Sequence, residues 1–141
     1  MSFAGVNYLA VVVAAAASFV FGGIWYGLFS APWLRAANIK DEDIHSVKGS
    51  GAMVPYVTAF FAQLVMALFL AGLVGHLGQS QVTFRNGAIS AVVVWAGFVM
   101  PAMVVNHSFQ GAPKELTLID GGHWLGVLLL QGAIIGWLGI G

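Results

Sequence analysis

The chain has 141 residues, 60% of them hydrophobic and 7% charged, with five Lys and Arg balancing five Asp and Glu for a formal net charge of +0. A soluble domain carries about 25% charged residues, so this chain cannot cover itself with polar surface and a water-soluble globule is excluded. Zero cysteines exclude disulfides and thiolate metal sites.

One transmembrane domain over residues 1–141 is expected, with the lipid bilayer as its solvent and first partner. The first predicted span covers about 7–29. Small residues from Ala14 to Ser18 resemble a signal-peptide cleavage site, but the segment lacks a basic start and runs on through Trp25 and Tyr26, so it reads as a retained span. Gly23 and Gly27 form a GxxxG pair, the spacing that lets helix backbones approach in lipid, and Ala14 with Ser18 extends the theme.

The connection 30–51 is predicted to hold two short interfacial helices. Pro32 is a favourable first helical position for a piece through Ala37, Asn38 ends it, and Asp41 caps a second piece through Glu42, Ile44 and Val47. Trp33, Leu34, Ile39, Ile44 and Val47 supply the apolar side of this pair.

The second span is predicted over 52–75, the third over 87–106 and the fourth over 124–140. None of these windows contains Asp, Glu, Lys or Arg. Continuous apolarity without alternation selects helices over barrel strands, since lipid leaves no backbone group unpaired. Pro101 removes a backbone donor and crowds the Gly97 carbonyl, predicting a kink in the third span. Asp120 is expected to cap the fourth. The pairs Gly122/Gly126 and Gly132/Gly136 fall on different faces of that helix, one suited to packing within the chain and the other to a second copy.

The fold class that follows is all-α, an integral membrane four-helix bundle with a short interfacial helical loop between helices 1 and 2. Loops 30–51 and 107–123 carry Arg35, Lys40, Lys48 and Lys114, against Arg85 alone in the middle connection. The positive-inside rule then assigns those two loops to the cytoplasm and both termini to the outside. Trp25, Tyr26, Trp33, Tyr56 and Trp124 fall at the charged-loop face, and Tyr8 and Trp137 at the other, as aromatic belts do.

Two polar groups stand out. Ser18, Gln63 and Gln131 each lie seven residues inboard of Trp25, Tyr56 and Trp124, which predicts one intramembrane layer about 10 Å below the charged-loop face. It serves either as hydrogen-bonding glue or as the wall of a pocket. At the face itself, Trp25, Tyr26, Trp33, Asn106, His107, Asp120 and His123 form a candidate ligand-binding site. His107 and His123, with Asp120 as orienting carboxylate, are its only metal-ligand candidates, and their spacing matches no metalloenzyme motif. His76 belongs to the opposite face, and Asn106-His107-Ser108 is formally an N-glycosylation sequon.

GGIWYGLFSAPW at the end of the first span, NHSF at the end of the third and IDGGHW before the fourth together resemble a bacterial family of small four-helix membrane proteins, domain of unknown function seventeen sixty-one. Gly22, Trp25, Tyr26, Phe29 and Trp33, with Asn106, His107 and Phe109, carry the resemblance. It implies a multi-pass protein of the bacterial cytoplasmic membrane and brings no established activity.

Three functions are compatible with these residues. One is a small accessory or scaffold subunit that self-associates or joins a larger membrane complex. The second is a binder or transporter of a small solute or lipid headgroup, and the third a histidine- or metal-dependent membrane enzyme. Ion-coupled pumping is disfavoured by the lack of intramembrane carboxylates. The sequence names no cofactor, and a nucleic-acid partner is not expected.

Overall fold

A computed structural model describes residues 3, 5–40, 42 and 49–139 of the chain, and among these it is helical with no strand. Helix α1 (Tyr8–Leu28) begins at Asn7, whose Oδ1 accepts from the Ala10 N–H at 3.1 Å and so satisfies one orphan donor of the first turn. Helix α2 (Ser30–Ala37) follows directly after Phe29 and ends at Asn38, whose φ of 57° is the left-handed cap that Asn tolerates. Most of the second predicted interfacial piece, Asp41 to Val47, lies outside the described residues.

Helix α3 (Val54–His76) starts from a short 3-10 turn with Pro55 in its first turn, where the missing N–H costs nothing. Helix α4 (Phe84–Phe109) is capped by Thr83, whose Oγ1 accepts from the Asn86 N–H at 3.1 Å. Helix α5 (Lys114–Leu138) begins after Pro113. The four long helices are long and apolar enough to cross a membrane.

Two sequence expectations change here. The fourth helix starts at Lys114 rather than Trp124, and the third extends from Phe84 to Phe109, so Arg85, Lys114, Glu115 and Asp120 lie within helical spans. Gly121 and Gly122 lie within this helix, where Met100 and Trp25 occupy the space that side chains at these positions would need. Asp120 is therefore not a cap. Pro101 is answered by a π turn over Trp95–Val99, in which the Met100 N–H reaches the Trp95 carbonyl and the helix widens just before the proline.

Helix α5 is the centre of the bundle and α4 its outermost member, with 44% and 6% of their most apolar windows buried. Near its C-terminal end α5 meets the start of α4 backbone to backbone. A Cβ on Gly87 would land on the Gly132 carbonyl, one on Gly132 on the Gly87 carbonyl, and one on Gly136 on that of Thr83. Near its N-terminal end α5 receives rings from α1, since Gly126 faces Phe21 and a Cβ on Gly122 would lie 2.8 Å from Trp25. Both glycine pairs of α5 are thus used within the chain, which removes the expected free seam for a second copy.

The first-helix pair behaves in the opposite way. Gly23 and Gly27 are exposed, with no atom of the described residues within 4 Å of a Cβ at either, while Gly22 is buried with a Cβ position 2.8 Å from His123 Nε2. A GxxxG spacing specifies close approach without specifying which face is presented. The face of α1 that packs is set by Ala14, Ala15, Ser18 and Gly22, which are buried on one side. Between the deeper polar cluster and the opposite membrane end, Ala14, Ala67, Leu70, Val74, Ala91 and Ile135 belong to one apolar core, which Leu128 joins from the level between the two clusters.

Candidate functional site

The deeper polar cluster joins α1, α3 and α5. Ser18 Oγ donates to Gln63 Oε1 at 2.8 Å, and Gln131 Nε2 donates to Ser18 Oγ and to the Gln63 carbonyl, both at 3.0 Å. With Ser18 and Gln131 at 0% and Gln63 at 2% exposure, this layer is closed. Its three side chains turn to one another and line no opening. Gln131 Oε1 has no hydrogen-bond partner among the described residues.

The second cluster is built on the second turn of α5. Asp120 Oδ1 accepts from the Tyr26 hydroxyl at 2.6 Å and from Trp33 Nε1 at 3.0 Å. Its Oδ2 stands 3.9 Å from His107 Nε2, beyond hydrogen-bond distance, while His107 Nδ1 and Thr117 Oγ1 are 2.8 Å apart. The flanking residues take the other indoles: Trp25 Nε1 donates to the Ile119 carbonyl at 3.0 Å and Trp95 Nε1 to the Gly121 carbonyl at 2.8 Å. Three indole N–H groups, from α1, α2 and α4, thus converge on three consecutive residues of α5.

One turn below Asp120, His123 is 5% exposed and enclosed by aromatic rings. Phe21 stacks on it at 6.2 Å between centroids, Tyr26 lies at 4.8 Å and Trp124 at 4.6 Å. Among the described residues, its Nδ1 has no hydrogen-bond partner. The structure therefore gathers Trp25, Tyr26, Trp33, His107, Asp120 and His123 around one stretch of α5.

Asn106 departs from the expectation. It is exposed, and its side chain makes no hydrogen bond among the described residues. One residue along a helix is a rotation of about 100°, so His107 faces α5 while its neighbour faces outward. Tyr8, Tyr56 and Trp137 are also exposed, at 64%, 61% and 76%, which separates the rings that suit a lipid boundary from those turned into the cluster.

A family model described as "Protein of unknown function (DUF1761)" matches residues 9–136. The chain belongs to this family. No curated protein and no solved structure matches it. In this DUF1761 chain the match spans both polar clusters, from Ser18 to Gln131.

Four contributors escaped the sequence reading of this DUF1761 chain. Thr117 shares a face with Asp120 only once the helix is known to begin at Lys114. Trp95 lay in mid-span, away from either aromatic belt, and a buried indole N–H that needs an acceptor was the available signal. The carbonyls of Ile119 and Gly121 carried no signal, since backbone acceptors look alike in any sequence. Among the described residues, no group of three or more His, Cys, Asp or Glu comes together as metal ligands would.

Chemically, the cluster offers one carboxylate oxygen occupied by two neutral donors and a second without a hydrogen bond, rimmed by aromatic rings. Asp120 keeps 19% of its side chain exposed, so the carboxylate is not sealed off from its surroundings.

Proposed function

We propose that this DUF1761 member is a protein of the bacterial cytoplasmic membrane, with its charged loops in the cytoplasm, that binds a small positively charged group at Asp120. A protonated amine or quaternary ammonium fits, whether free in solution or carried by a lipid headgroup. One observation carries the reading: among the described residues, no Lys or Arg pairs with this intramembrane carboxylate. Acidic side chains within spans ordinarily find a partner or mark a ligand path. Trp25, Tyr26 and Trp33 add ring surface, and a cation over such rings gains about 0.5–2 kcal/mol.

The enzyme reading is weaker. His123 lies beneath three rings with little access for a substrate, and His107 already engages Thr117.

The test is tryptophan fluorescence of the purified protein, titrated with choline and with ethanolamine, then repeated in nanodiscs with and without phosphatidylethanolamine. Asp120→Asn keeps an Oδ1 acceptor for Tyr26 and Trp33 while removing the charge and turning the second oxygen into an amide donor. Saturable binding by the native protein, weakened at least roughly ten-fold (about 1.4 kcal/mol) in Asp120→Asn, is expected. Equal responses from the two proteins would sink the reading.

The accessory role is a second reading, favoured by the exposed Gly23 and Gly27, which offer a close-approach surface unused within the chain. Native mass spectrometry should then show an oligomer that Gly27→Leu dissociates. A monomer for the native chain in gentle detergent would count against self-association.

A further inference from the structure

About one turn from Gln63 and Gln131, a cleft of about 320 Å³ lies between α3 and α4. Met66, Phe69 and Leu73 of α3 form one wall, Val94 and Val99 of α4 the other, and Leu128 of α5 the floor. Val94 and Val99 flank the proline-linked widening of α4, a helix that is 6% buried over its most apolar window. The cleft therefore opens at mid-span, where the surrounding medium is hydrocarbon.

We propose that this cleft is a binding site for one acyl chain of a membrane lipid. Its walls are apolar side chains within membrane-spanning helices, so neither water nor a headgroup has a partner there, and such spaces take apolar ligands. Two turns of a helix about 10 Å across fill roughly 850 Å³, so a helix from a second copy could not enter this cleft whole, whereas a single extended chain can lie in it. The α3 wall also has a direction. Met66, Phe69, Leu73 and His76 follow one another at three- and four-residue spacing, so a chain lying along this face runs from mid-membrane toward the end of α3. The lipid belongs to the leaflet opposite Asp120, and its headgroup lies at the level of His76.

Native mass spectrometry of protein released from nanodiscs of phosphatidylcholine and phosphatidylglycerol reads this directly. One lipid should survive a delipidating wash on the native chain and be lost from the double substitution Leu73→Phe with Val94→Phe, which fills the cleft. Val93→Phe, at an exposed neighbouring position, should retain it. A second measurement needs no variant: phosphatidylcholine with a diazirine on its acyl chain should label the Met66–Leu73 and Val94–Val99 stretches above other lipid-facing residues. Uniform labelling, equal retention by native and filled proteins, or a dimer that dissociates on filling would each overturn the proposal.

Discussion

At the charged-loop end of the bundle, side chains from α1, α2 and α4 reach α5 through hydrogen bonds centred on Ile119, Asp120 and Gly121, whereas at the opposite end α4 and α5 touch through the backbone of Gly87, Gly132 and Gly136. The same helix thus uses both means by which helices associate in lipid, where apolar surface gains nothing from leaving water. The two means differ in what they permit. A backbone contact has no rotamers and admits no exchange of partners. Side-chain donors on a carboxylate can change rotamer and partner, so the charged-loop end is the adaptable one and the other end the rigid one.

The largest effect should come from breaking the rigid end. Gly132→Leu drives a side chain into the Gly87 carbonyl, and overpacking of this kind costs roughly 3 kcal/mol when the neighbour is backbone. Unfolding by steric trapping in bicelles measures it. A cost below about 1 kcal/mol would show that α4 readjusts and that the contrast between the ends is false.

A middle-sized effect is expected at the adaptable end. Asp120→Ala strands the Tyr26 hydroxyl and the Trp33 indole N–H, at about 2 kcal/mol by the same assay, while Asp120→Asn should lose clearly less because an acceptor remains. Equal losses would make charge, rather than the number of hydrogen bonds, the stabilising feature.

The smallest effects distinguish adjacent glycines of α1. Gly22→Ala meets the ring of His123 and should cost about 1 kcal/mol, the low end of overpacking where a side chain can give way. Gly23→Ala points into open space and should stay within about 0.5 kcal/mol. Thermal unfolding of the two variants in one detergent is enough to compare them. Similar losses at both positions would mean that Gly23 is packed against something outside this chain.

Much of this arrangement was legible in the sequence. The layer of Ser18, Gln63 and Gln131 followed from equal distances to interfacial aromatics, and the three side chains do meet. The co-location of Trp25, Tyr26, Trp33, His107 and Asp120 followed from counting spans. The start of α5 was not legible, because Asp-Gly-Gly is a helix-start pattern in water, and only packing explains glycines in mid-helix. Met100 and Trp25 press where side chains at 121 and 122 would stand. Asn106 was misjudged because a motif read as a unit spreads over about 100° per residue once it is helical.

Composition indicated the solvent, and the order of residues the number of spans and the level of the Ser18, Gln63 and Gln131 layer, since the cost of unpaired backbone in lipid leaves few alternatives. Which faces meet was decided only by the tertiary structure. In hydrocarbon, an outward-facing leucine or glycine costs as little as an inward-facing one, so the pattern along a helix carries little information about rotation. That is why GxxxG in α1 faces outward while Gly22 beside it is buried, and why the partners of Asp120 had to be seen rather than read.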